Sequence, residues 1–367
     1  MTVREATLAV LNYEDYDALP IVHFGYWKET IDKWVAEGHI ELAENQKWNQ
    51  WENIARKQGF DFEWISGFYP NTDLFPCFDW KLISEEADGT KTLQNHEGVT
   101  VIQKAEAGSI PAEVDHLLKD RDSWEEHYLP RLQFSPERID PEQLHKIPAP
   151  ADREMPVVLH CGSLFGRIRN WLGFEGVSYL YADDENLYAE IIDTVANLSY
   201  QTIETCLASG VQFDHAHYWE DICFKNGPLV IPSVFDEHVG PHYKRISELL
   251  NKNGINIISL DCDGCIDTLL PIWLENGVNT MFPIEVGTWH ASIGPWREQY
   301  GRDLRGVGGM DQRVFAQDRA AIDAEIERLK PLIDLGGYIP CPDHRIPPDA
   351  EWDNVCYYTE RLRAIYG

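Results

Sequence analysis

Positive charge is what this sequence has least of. Its 31 Lys and Arg residues stand against 61 Asp and Glu, a formal net charge of −30. Neutralising nucleic-acid phosphates takes clustered Lys and Arg, so a nucleic-acid partner is not expected, nor is an anionic membrane surface. A small anionic ligand in a locally basic pocket stays compatible with this balance. Long apolar runs are missing too: nothing reaches the ~18 consecutive apolar residues of a membrane helix. No basic-then-apolar leader opens the chain, so a cytoplasmic protein is expected. In that compartment the eight cysteines are not expected to build a disulfide framework. Cys262 and Cys265 form a CxxC, but the second pair that a zinc ribbon needs is absent. Asp261 and Asp263 beside that pair oppose the low thiol pKa of a redox motif. No Gly-rich phosphate loop follows the first strand-like run, where the chain reads VHFGYWKE, and this speaks against a dinucleotide-binding open sheet.

What is there is an ordinary globular balance, 44% hydrophobic and 25% charged. Apolar, β-rich runs occur at 20–24, 61–65, 156–160, 212–217, 255–260, 280–284, 304–308 and 337–341. Amphipathic helical stretches such as HYKRISELLNKNG and RAAIDAEIERLKPLIDLGG separate most of them, several ending in the Gly favoured just past a helix. Strand–helix alternation repeated eight times predicts a parallel (β/α)8 TIM barrel of the α/β class. The alternation breaks once, at FDWKLISEEADGTKTLQNHEGVTVIQKAE. Its two turn signals predict a small antiparallel β insertion at about 75–110, between the second and third barrel strands.

Active sites of such barrels lie at the C-terminal ends of the strands. Those ends carry His23 and Trp27, then His160 and Cys161, then His215, His217, Glu220 and Asp221. They continue with Glu285 and His290, Met310 and Asp311, and Cys341, Asp343 and His344. The fifth strand ends in IISLDCDGCID, which packs Asp261, Cys262, Asp263, Cys265 and Asp267 into one turn. Either this turn supplies part of a metal site, whose cation would relieve the acidic repulsion, or Asp261 and Asp263 cap the helix read over CIDTLLPIWLENG.

Five stretches carry a family resemblance that runs nearly end to end. They are LPIVHFGYWKETIDKWVAEG, YWEDICFKNGPLVIPSVFDEHVGPHYKRI, LDCDGCIDTLLPIWLENGVNTMFPIEVG, LRGVGGMDQ and GGYIPCPDHRIPPD. Together they resemble the uroporphyrinogen decarboxylase superfamily, in particular its corrinoid-dependent methyltransferases and decarboxylase-like members. The resemblance implies one barrel domain over 1–367. Two chemistries compete. The decarboxylases grip substrate carboxylates with an arginine-rich N-terminal motif, but the matching stretch here, HFGYWKETIDKW, has no Arg. The methyltransferases bind zinc through a His-x-Cys pair and a late Cys, which Asp261, Asp263 and His344 replace here.

Carboxylate and imidazole still ligate zinc, so the resemblance implies a metal site of Glu220, Cys262, Asp263 and His344. Glu220, His344 and Asp261 are the expected catalytic residues. His23, Trp27, His160, His217, Trp219 and Glu285 are expected to face substrate, with Trp27, Trp219, Trp289 and Trp296 as candidate walls for an aryl group. The expected function is a zinc-dependent methyltransferase. It would take methyl from a small donor, an aromatic methyl ether being one candidate (O-demethylation), and pass it to a cobalamin held by a separate corrinoid protein. A metal-free decarboxylase of a uroporphyrinogen-like or small aromatic acid is the alternative, and a barrel that only binds ligand is a third. A homodimer is compatible with each.

Overall fold

The computed structural model describes residues 1–41, 52–104 and 111–367. Two short strands, β1 (Val22–His23) and β2 (Phe62–Glu63), pair in parallel. After β3 (Gly67–Phe68) the chain leaves for a four-stranded antiparallel sheet of β4 (Lys81–Glu85), β5 (Lys91–Gln94), β6 (Val99–Gln103) and β7 (Ala112–His116). It returns as β8 (Val158–His160) and β9 (His215–Trp219), then a two-stranded hairpin of β10 (Cys223–Phe224) and β11 (Gly227–Pro228). β12 (Ile258–Asp261), β13 (Thr280–Phe282), β14 (Arg305–Met310) and β15 (Tyr338–Pro342) complete the strands. β3, β8, β9, β12, β13, β14 and β15 form one parallel sheet of seven strands in that order. Beyond β15, Tyr26 bridges Ile346 in the parallel sense, and Ile346 N donates to Gly25 O at 3.1 Å.

The strands form because their side chains are covered on both faces. Every residue of β9 except Trp219, and every residue of β12, is buried, which is how strands with helices on each side read as apolar runs. The helix Gly240–Lys252 buries Tyr243, Ile246, Ser247 and Leu250, a stripe at helical spacing, and turns its charges outward. Burying one such Leu contributes about 1.5–3 kcal/mol.

Each expected run overlaps a strand, with adjustments. The second is cut to β2, and β3 follows it. The fourth starts later, at His215, because Asp214 is held just before it by Arg4 Nε at 2.7 Å and Arg153 at 3.0 Å. The insertion is real but spans Lys81–His116; the expected stretch 105–110 lies outside the described residues. Among the described residues no helix is long and apolar enough to cross a membrane.

β14 crosses β13 closely at Gly308, whose φ is +129° and whose Cβ, if present, would lie 1.5 Å from Pro283 O. Gly308→Ala is expected to cost about 3 kcal/mol or more through this clash. Urea unfolding checks it; an unchanged midpoint would contradict the packing.

Candidate metal centre and cavity

The C-terminal strand ends open on a cavity of about 930 Å³. Trp27, Tyr69, Phe75 and Trp219 supply aromatic wall, while His160, His217, Asp221, Asp261, Asp263, His344 and Arg345 supply the polar groups. Asp221, Asp261 and Asp263 bring carboxylate oxygens within 4.8 Å of one another.

Local structure forces this meeting. Asp261 ends β12, opposite Trp219 of β9 and Phe282 of β13. Glu220 N donates to Asp261 O at 2.8 Å, carrying the ladder one residue further. Asp221 then takes a left-handed φ of 47°, a conformation Asp tolerates better than most residues. Its Oδ1 accepts from Asp263 N at 3.0 Å, and its carbonyl accepts from Arg169 at 2.8 Å. The turn beyond is held by Glu285, whose carboxylate accepts from Gly264 N and from Thr288 Oγ1 at 2.8 Å.

His344 Nε2 sits 3.5 Å from Asp263 Oδ2. Its ring stacks on Trp27, with centroids 5.4 Å apart, and meets Phe24 edge-on at 5.7 Å. Burial works to lower the His344 pKa, but the hydrogen bond and charge of Asp263 outweigh it and the net shift is upward. Burial, reinforced by Asp221 and Asp263, raises the Asp261 carboxyl well above its ordinary range. Burial and the Asp263 charge push Asp221 up to about 7. Asp263 Oδ1 is buried without a hydrogen-bond partner. Three hard oxygens, one imidazole nitrogen and an orphaned carboxylate oxygen fit a divalent cation such as zinc.

The structure rearranges the expected ligand set. Asp263 and His344 are together, but Glu220 is elsewhere. Its carboxylate accepts from Ser163 Oγ at 3.0 Å, from Leu164, Phe165 and Gly166 N at 2.8, 3.0 and 2.6 Å, and from the Tyr243 hydroxyl. That saturates it at the N-terminus of the helix Gly166–Asp183, where anions are favoured. Cys262 turns away as well: it is 3% exposed, lies outside the cavity, and its thiol meets Cys223. Asp221 stands in the acidic cluster where Glu220 was expected.

Helix capping by Asp261 and Asp263 is also corrected, since the next helix starts at Leu270 with Leu269 at its cap. Trp27, His160, His217 and Trp219 line the cavity. His23 does not: it is buried, and its Nδ1 accepts from Gly25 N at 3.0 Å. Glu285 holds the turn rather than the cavity wall, and Trp296 is committed to Asp267 at 2.8 Å, with Trp289 packed beside it.

No family model matches the chain. Over 216 residues it is 22% identical to a uroporphyrinogen decarboxylase of Geobacter sulfurreducens, a match covering 57% of this chain and 58% of that protein. The chain thus spans about 58% of the length of the curated relative it matches. Its fold is similar to that of a methyltransferase from Methanosarcina mazei, with a TM-score of 0.61 and 15% identity over 100% of both chains. Part of the chain is thus similar in sequence to a uroporphyrinogen decarboxylase, and its fold is shared with a methyltransferase.

Asp221→Asn keeps the acceptor for Asp263 N and removes one charge from the cluster. A carboxyl whose folded pKa lies above its unfolded value destabilises the fold above the folded pKa, and this penalty vanishes below the unfolded one. Metal-free Asp221→Asn is therefore expected to be about 1–2 kcal/mol more stable than the parent near pH 8, after discounting for partial exposure. The gap should close as pH falls from about 7 towards 4. Urea unfolding in chelator at both ends of that window checks it; a variant no more stable at the alkaline end contradicts the repulsion.

Proposed function

We propose that this chain is a zinc-dependent methyltransferase that takes a methyl group from a small methylated donor and passes it to cobalamin on a separate corrinoid protein. The observation that carries this reading is the acidic cluster with His344 inside an aromatic-walled cavity of about 930 Å³. An aryl methyl ether suits the walls of Trp27, Tyr69 and Trp219. The accompanying fold reading is a single domain whose strands close into an eight-membered ring. It is supported by the backbone bonds from Ile346 N to Gly25 O at 3.1 Å and from Trp27 N to Ile346 O at 3.2 Å.

Asp221, Asp261, Asp263 and His344 would hold the metal. Zinc held there would supply Lewis-acid stabilisation to the leaving oxygen. Glu220 acts as a positioning residue: its bonds to the helix at Gly166 fix the strand end that presents Asp221. Trp27 and Phe24 hold the His344 ring against Asp263. The raised carboxyls and His344 must shed protons to ligate, so metal affinity should climb with pH.

Decarboxylation of a polycarboxylate is the weaker reading. The lining carries Asp73, Asp221, Asp261 and Asp263 against Arg167 and Arg345, and Arg167 is engaged by Asp73 and Glu97, each at 3.1 Å. Coproporphyrinogen formation from uroporphyrinogen should be undetectable, and efficient turnover in that assay would reverse the order of the two readings.

Zinc titration by calorimetry, with a methyl-transfer assay to cob(I)alamin from methoxylated aromatics, tests the main reading. Wild type should bind about one equivalent, more tightly at pH 8 than at pH 6. His344→Ala should lose tenfold or more in affinity and lose methyl transfer with it. Full zinc affinity in that variant, or methyl transfer by zinc-free wild type, would overturn the assignment.

A further inference from the structure

In the lining of the same cavity two imidazoles meet: His160 and His217 have ring centroids 5.2 Å apart at an interplanar angle of 75°. Their surroundings fix both tautomers. His217 Nδ1 lies 2.7 Å from Ser259 Oγ, and that hydroxyl donates its own hydrogen to Ala216 O at 3.1 Å. Ser259 can then only accept from the ring, so His217 carries its proton on Nδ1 and leaves a lone pair on Nε2. His160 Nε2 lies 2.8 Å from Ile65 O, a carbonyl that only accepts. His160 therefore carries its proton on Nε2 and leaves a lone pair on Nδ1. Burial keeps both rings neutral by lowering their pKa values. Tyr69 stacks on His160, with centroids 3.5 Å apart, and locks its plane. Among the described residues no donor hydrogen-bonds to His217 Nε2 or His160 Nδ1.

Two acceptors on rings that line one cavity select a complementary group. We propose that His160 and His217 form an acceptor pair that recognises a hydrogen-bond donor on the substrate, a hydroxyl or an amine N–H. A carboxylate placed there would set lone pair against lone pair, whereas a bare apolar ring would leave two buried acceptors unsatisfied. Ser259 is a positioning residue that acts through the His217 tautomer. This inference rests on the reading above that a small methylated substrate occupies the cavity, and it narrows that substrate to one carrying a donor as well as its methyl group.

The test is equilibrium binding to the purified protein without corrinoid partner, read by quenching of tryptophan emission. Two ligands differing only in the donor are compared, 2-methoxyphenol and methoxybenzene. Wild type should prefer the phenol by about tenfold to a hundredfold, since a site built to bond a hydroxyl rejects the analogue lacking it. His217→Phe and His160→Phe should each bring that ratio close to one. Ser259→Ala, which keeps both imidazoles, should lower it several-fold by releasing the tautomer, an effect that a purely structural serine would not produce. Using 2-methoxyaniline in place of the phenol separates the two donors, and preference for either over methoxybenzene supports the pair. Equal binding of all three ligands by wild type, no binding of any up to millimolar concentration, or an unchanged ratio in both phenylalanine variants overturns it. A retained preference in a protein that transfers no methyl group would sink the methyltransferase reading and leave the acceptor pair standing.

Discussion

Three carboxylates held within 4.8 Å of one another at the ends of two adjacent parallel strands repel each other, and burial sharpens that repulsion. Without a cation, protons must take up the strain, and the raised Asp221 and Asp261 carboxyls express this. The surrounding architecture keeps the acids from separating. The β9–β12 ladder fixes Asp261, the left-handed turn at Asp221 aims its carboxylate back at Asp263 N, and Glu285 pins the turn from the side of β13. Such strain is held where surrounding bonds over-determine the conformation, and that pattern clusters at functional sites.

Glu220 is the hidden part of this arrangement. A buried carboxylate with five donors around it is a strong tie rather than a reactive group. It joins the end of β9 to the helix that follows β8, and Gly166 is required at the contact, since a Cβ there would lie 1.9 Å from Glu220 O. The position of Asp221 in the acidic cluster is thereby coupled to a residue that lies outside the cavity.

Much of the framework was legible because strands covered on both faces read as unbroken apolar runs, and β8, β12, β13, β14 and β15 fall inside or within two residues of the expected spans. The extent of the insertion was not, because β4 and β7 are almost wholly exposed and carry no burial signal. In the site, Asp263, Asp261, His344, His160, His217, Trp27 and Trp219 could be read from strand-end position alone. Glu220 and Cys262 both lie outside the cavity. Side chains alternate along an extended strand, so His217 and Trp219 face the cavity, while beyond the strand end the left-handed turn at Asp221 brings its carboxylate back to it and Glu220 faces the helix at Gly166. The tautomers of His160 and His217 were not legible, because Ile65 O and Ser259 Oγ reach them only through the fold.

The proposed function rests on one physical claim, that a divalent cation belongs among Asp221, Asp261, Asp263 and His344. Anomalous diffraction at the zinc edge from crystals grown with zinc tests it most directly. The expected result is one peak about 2.0–2.2 Å from oxygens of the three aspartates and from His344 Nε2. A cavity without such a peak at saturating zinc, or a peak bounded instead by Glu220 and Cys262, would contradict it.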